Sequence, residues 1–117
     1  MEYDVVIVGG GPSGLATAIQ FAQLNKKNNT NLSICLLEKG SEIGAHILSG
    51  NVFQPNALDE LIPNWKDLGA PLYVPVKKDK IMYLLKSIGI PVPAFFMPNM
   101  NNHGNYAISL GNLCRWL

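Results

Sequence analysis

Val5-Val6-Ile7-Val8-Gly9-Gly10-Gly11-Pro12-Ser13-Gly14, VVIVGGGPSG, is the stretch on which the fold turns. Four β-branched residues in succession suit a parallel strand covered on both faces. The glycines at Gly9-x-Gly11-x-x-Gly14 then have separate physical reasons. Gly9 permits a tight strand-to-helix turn, Gly11 lets a pyrophosphate approach the backbone, and Gly14 allows close packing of helix on strand. Phosphate in such a turn rests on exposed amides at the positive end of the helix dipole. Ala18, small and one turn beyond Gly14, extends the close contact.

Outward from the turn, Pro12 pre-sets the first helical dihedral, and Leu15, Ala18, Ile19 and Ala22 recur at the spacing of one helical face. Lys26 and Lys27 fall where positive charge suits a helix C-terminus. The polar stretch Asn28 to Asn31 turns the chain, and Leu32 to Leu37 reads as a second buried strand ending at Glu38. The result is α/β: β-α-β, the start of a Rossmann-like domain with a right-handed crossover. Glu38 stands 24 positions after Gly14, where an acid hydrogen-bonds a ribose hydroxyl. The competing reading of Glu38 is a solvated strand-end acid beside Lys39. The glycine motif serves FAD and NAD alike, since both carry ADP.

The bulk composition excludes several classes. A formal net charge of +1, from nine basic and eight acidic residues dispersed over 117, leaves no electrostatic footprint for nucleic acid. The single arginine, Arg115, leaves the chain without paired guanidinium forks for anions. Cys35 and Cys114 are far apart in sequence and read as buried structural thiols. Strand-like residues begin too early for a signal or transit peptide, so a cytoplasmic or matrix-like setting is expected. Asn28-Asn29-Thr30 and Asn31-Leu32-Ser33 match the glycosylation pattern but read as a polar loop. No apolar run reaches the roughly 18 to 20 residues of a membrane-spanning helix.

The chain changes character near residue 50, after which come seven of its eight prolines. Residues 1–50 are expected to form the β-α-β unit and 51–117 a proline-rich insertion of loops, short helices and edge hairpins without a regular central sheet. Asn56 to Ile62 suggests a short capped helix stopped by Pro63. Ile81 to Leu85 and Ile88 to Val92 suggest a hairpin around Lys86-Ser87. Leu110, Leu113, Cys114 and Leu117 form a helical stripe behind a Ser109 cap, cut off mid-stripe. Nothing suggests a catalytic constellation: His46 lacks a titratable companion, and no triad, carboxylate pair or metal-spaced cluster is present. The uncharged stretch Ile88 to Met100, IGIPVPAFFMPNM, reads either as a core-covering loop or as an exposed apolar tip serving a bilayer interface or lipid-like substrate.

Four blocks carry a resemblance to a known family: DVVIVGGGPSGLATAIQ, LLEKGSEIGAHILSG, LIPNWKDLGAPL and IPVPAFFMPNMNNHGNYAISLGNLCRWL. Over essentially its whole length the chain resembles the N-terminal part of the electron transfer flavoprotein-ubiquinone oxidoreductases. GAHILSG and MNNHGNY are the more specific blocks; the glycine block is shared with many flavoproteins. The resemblance implies a membrane-associated enzyme with FAD and a 4Fe-4S cluster, passing electrons from reduced electron transfer flavoprotein to ubiquinone. Carried over, Gly9, Gly11, Pro12, Ser13 and Gly14 would hold the FAD pyrophosphate and Glu38 its adenosine ribose. Lys39 and His46, Ile47, Leu48 and Ser49 would line the cofactor toward the flavin ring. Ile88 to Met100 resembles the family's membrane-docking hairpin, which implies a peripheral place on an inner membrane, facing bacterial cytoplasm or mitochondrial matrix.

Members of that family are several times longer, and their cluster ligands are cysteines of a later domain that Cys35 and Cys114 do not match. The expectation is therefore an N-terminal fragment, inactive and weakly folded by itself. Two other readings stand beside it: a stand-alone non-catalytic nucleotide-binding module, and an FAD oxidoreductase acting on an isoprenoid lipid.

Overall fold

A computed structural model describes residues 2–96 and 100–117. Strand β1 (Val5–Val8), helix α1 (Pro12–Asn28) and strand β2 (Ile34–Leu37) make the first unit, with β1 and β2 parallel in the register Val5↔Ile34 to Val8↔Leu37. Pro12 opens α1, Lys26 and Lys27 close it, and Asn29 at the C-cap takes a left-handed conformation with φ 53°. Asparagine tolerates that region better than most side chains.

Strand β2 starts at Ile34 rather than at the expected Leu32, because side chains claim the preceding backbone. The Asn25 amide donates to Leu32 O at 2.9 Å. Ser33 donates its N–H and hydroxyl to Asp4 Oδ2 at 2.7 and 2.6 Å. These bonds hold the Asp4 carboxyl below its ordinary range, the Ser33 hydroxyl contributing most.

The expected burial of β1 on both faces is corrected too. Ile7 faces α1, whereas Val6 and Val8 are 52% and 83% exposed. Helix α1 covers one side of the two-stranded sheet, and among the described residues the opposite face carries no covering element.

The second unit holds the larger correction. Strands β3 (Ser49–Phe53), β4 (Val74–Pro75) and β7 (Tyr106–Ser109) form an antiparallel sheet in the order β3-β7-β4. The sheet is compatible with dense prolines because its central strand has none and Pro75 lies on an edge. In β3 the register shifts between Ser49 and Asn51, and Gly50 at φ +82° takes the bulge. That bulge hides the strand's alternation from a sequence pattern.

Helix α2 (Asn56–Leu61) ends before Pro63 as expected, but Pro55 occupies its N-cap with no side-chain cap bond. Strands β5 (Ile81–Leu84) and β6 (Gly89–Val92) form the expected hairpin, with Leu85 N–H donating to Ile88 O at 2.8 Å across Lys86-Ser87. Helix α3 (Leu110–Trp116) is capped by Ser109 Oγ, which accepts from the Asn112 N–H.

The hydrophobic core sits in this second unit. Leu58, Trp65, Ala70, Leu72, Ile108 and Leu113 cluster, with Phe53, Tyr106 and Trp116 against them. Trp65 donates from Nε1 to Asp59 Oδ1 at 2.7 Å and meets Tyr106 edge-on at 5.9 Å, so its polar atom is satisfied while its ring is buried. Cys114 is fully buried and its thiol pushed up by desolvation; Cys35 is half-buried. No residue of α1 is buried. The radius of gyration is 18.7 Å against roughly 13 Å for a compact domain of this length.

Candidate nucleotide-binding site

The site is built at the C-terminal end of β1. Gly9 N–H donates to Leu37 O at 2.7 Å, closing the ladder, and Gly9 turns the chain at φ +106°, a region that excludes most side chains. Gly11 is the N-cap of α1, extended and without a side-chain cap, and no acidic residue lies in the first turn. The amides of Ser13 and Gly14, at the start of the helix, lack intrahelical acceptors and present the positive end of the dipole.

The three motif glycines differ in what a side chain would meet. A Cβ on Gly14 would land on the Gly9 carbonyl oxygen and lie 3.4 Å from Ile7 Cγ2. A Cβ on Gly11 would meet nothing within 4 Å. Helix and strand therefore touch at Gly14, and open space lies in front of Gly11, where a pyrophosphate needs it. The cradle fits an anionic dinucleotide.

Glu38 sits at the centre of the site in a way that motif reasoning did not anticipate. Its Oε2 accepts from Gly10 N–H at 2.7 Å and its Oε1 from Gly40 N–H at 2.6 Å. The Gly40 amide first, then the Gly10 amide, hold the carboxyl below the ordinary glutamate range, with a smaller attraction from His46. One carboxylate thus clasps the glycine turn to the loop after β2. Each oxygen keeps a further lone pair, so acceptor capacity for ribose hydroxyls remains. Gly10 and Gly40 are the clasp's two donors, positions that the spacing passed over. The constraint shows only in three dimensions: a Cβ on Gly10 would collide with Ile43 Cδ1 and the Glu38 carboxylate.

The loop beyond is set by a second backbone approach. Gly44, at φ +82°, lies against Gly111 in the first turn of α3, and a Cβ on it would come within 2.6 Å of Gly111 O. Arg115 Nη2 pairs with Glu42 Oε1 at 3.0 Å beside that contact. This places exposed His46 near Gly40 and Glu38, with Ile47 half-buried. Lys39, Leu48 and Ser49 are exposed, and among the described residues no side-chain hydrogen bond ties them to the cradle. Ser49 instead opens β3 opposite Ser109.

Residues 7–87, spanning the cradle, the clasp and the hairpin's first strand, match the NAD(P)-binding Rossmann-like domain family. The chain belongs to that family. It is also similar along its whole length to electron transfer flavoprotein-ubiquinone oxidoreductase of Pseudomonas aeruginosa, 59% identical over 120 residues, covering 100% of this chain and 22% of that protein. The mitochondrial protein of the same name from Dictyostelium discoideum is 55% identical over 118 residues, 99% of this chain and 19% of its own. That of Oryza sativa is 54% identical over 117 residues, 100% of this chain and 20% of its own. The chain therefore spans about a fifth of the length of these relatives. The resemblance carried by GAHILSG and MNNHGNY holds across the chain.

Proposed function

We propose that this chain forms the ADP-holding corner of the FAD site in an electron transfer flavoprotein-ubiquinone oxidoreductase. The complete protein would accept electrons from reduced electron transfer flavoprotein and deliver them to ubiquinone, using a 4Fe-4S cluster whose ligands lie outside these residues. One observation carries the reading: the Glu38 carboxylate clasps Gly10 directly beside Gly11, whose front is open. Similarity to whole-length relatives of that name supports it.

In this reading each residue has a physical task. The Gly11 backbone and the Ser13 and Gly14 amides hold the pyrophosphate against the helix dipole, with Pro12 fixing the entry dihedral. Glu38, kept ionised, orients the adenosine ribose. The Gly44–Gly111 contact fixes the segment carrying His46 and Ile47, which would extend the site beyond ADP, with Lys39, Leu48 and Ser49 closing on it in the full assembly. FAD, when bound, supplies the ring that takes up and releases electrons. The chain's own side chains supply position and electrostatics.

The apolar hairpin and the residues after it serve as a membrane-surface element. From Met82 to Ile88 every residue is exposed, and Leu84, Ile88 and Phe95 are 76%, 65% and 83% exposed. Met97, Pro98 and Asn99 of the same apolar stretch lie outside the described residues. No helix of the described residues is long and apolar enough to cross a membrane, so attachment here would be interfacial. The setting would be an inner membrane, on its cytoplasmic or matrix face.

The test is an assay of the full-length protein with reduced electron transfer flavoprotein and a ubiquinone analogue. Quinone reduction that requires bound flavin is expected. Reduction of an isoprenoid lipid instead, or nucleotide binding without turnover, would replace this reading with one of its two alternatives.

A further inference from the structure

The hairpin is apolar on both faces and charged at both ends. Met82 and Leu84 lean over Gly89 on one face, while Tyr83 and Ile90 pair on the other, and all four side chains are exposed. Lys86 stands at the tip. Lys77, Lys78 and Lys80 stand at the base, about 14 Å away for four residues of extended strand. Among the described residues the one ion pair is Arg115–Glu42, so none of these ammonium groups is held in an ion pair, and Asp79 is the single opposing charge among the basal three.

The basal lysines line a cleft of about 390 Å³ that His103 also borders. Its walls are tied together: Asp79 Oδ2 accepts from Asn102 N–H at 2.6 Å, and Asp79 Oδ1 from the Asn102 amide at 3.3 Å. The one acid of the cleft is thereby committed to holding the 77–80 segment against the 100–105 loop. What remains is a preformed recess, cationic at its rim, at the foot of an apolar arm.

We propose that this cleft takes the phosphate headgroup of an anionic phospholipid, and that the arm lies along the surface of an anionic bilayer. The proposal rests on the membrane reading above and adds lipid selectivity and orientation to it. Lys86 sets the orientation. With ammonium groups at tip and base both held at headgroup level, the apolar middle can sink into the acyl boundary only if the arm lies flat. An arm exposed on two faces also suits a bilayer better than a protein partner, which would cover one face and leave the other in water.

The experiment is flotation of the full-length protein with vesicles of phosphatidylcholine alone or with added phosphatidylglycerol. Each lysine at an anionic surface contributes about fivefold in partition, so Lys86 and the three basal lysines, offset once by Asp79, give on the order of a hundredfold preference for anionic vesicles, falling as salt rises. Lys77→Gln with Lys78→Gln and Lys80→Gln should reduce partition to the neutral-vesicle level. Leu84→Ser with Ile88→Ser should weaken partition onto both vesicle types and leave their ratio intact, which separates the arm from the cleft. Equal partition onto both vesicles, unchanged by the lysine variant, would leave membrane docking standing and overturn the headgroup site. No partition onto either would overturn the membrane reading as well. Lysine-dependent stabilisation by inorganic phosphate at matched ionic strength, with vesicle partition unaffected, would make the cleft a free-phosphate site and overturn the proposal. So would lysine-dependent binding of an acidic protein without vesicle binding.

Discussion

Replacing Gly14 by alanine tests the close approach on which the cradle depends. The new Cβ would fall on the Gly9 carbonyl oxygen and 3.1 Å from its carbon. Gly9 cannot retreat easily, because its N–H is bonded to Leu37 O and its φ of +106° is fixed by the turn. Helix α1 must therefore move off β1. Overpacking of this kind costs about 1–3 kcal/mol, while alanine in place of glycine in a helix returns about 1 kcal/mol. The expected net is a destabilisation of about 1 kcal/mol, together with displacement of the Ser13 and Gly14 amides from the phosphate position. Gly11→Ala is the control: its Cβ meets open space, so folding should be nearly unchanged while the methyl occupies the room a pyrophosphate requires. The assay is urea unfolding of the full-length protein followed by ellipticity, with flavin affinity measured by titrating the apoprotein. Both variants should lose affinity by about tenfold or more, equivalent to roughly 1.4 kcal/mol, and only Gly14→Ala should also lose stability. A Gly14→Ala protein as stable as wild type, binding flavin equally well, would refute the reasoning.

Two further outcomes follow from the site and the core. Because the Glu38 pKa is lowered in the folded protein, its clasp contributes fully above the ordinary glutamate range and is lost as pH falls through the lowered folded value. Acid titration of wild type should thus show a loss of flavin retention at low pH that Glu38→Gln flattens, and identical acid profiles would count against the clasp. Trp65, 3% exposed and hydrogen-bonded to Asp59, should cost about 3–5 kcal/mol when changed to alanine, read as a lower urea midpoint for the unit containing α3.

The parts of the fold legible in the sequence are those held by local chemistry. Pro12 and the Leu15–Ala22 face mark α1, Lys86-Ser87 marks the hairpin turn, and Ser109 marks the start of α3; each signal lies within a few residues of what it specifies. The β3-β7-β4 sheet was not legible, because β3 pairs with a strand more than fifty residues away and carries a glycine bulge. Proline density pointed away from a sheet, yet proline excludes a residue only where its missing amide is needed, and β7 needs all of its own. The site divides in the same way. Gly9, Gly11 and Gly14 follow from spacing, whereas the roles of Gly10 and Gly40 depend on where Glu38 turns its two oxygens.

The central claim is that the turn from Gly9 to Gly14, clasped by Glu38, holds the ADP half of FAD. Its most direct test is to denature the purified full-length protein and identify the released cofactor by mass and absorbance. One FAD per chain is the predicted result, reduced to a small fraction in Gly11→Val. Release of a nicotinamide dinucleotide, of no nucleotide, or of undiminished FAD from the Gly11→Val protein would contradict the claim.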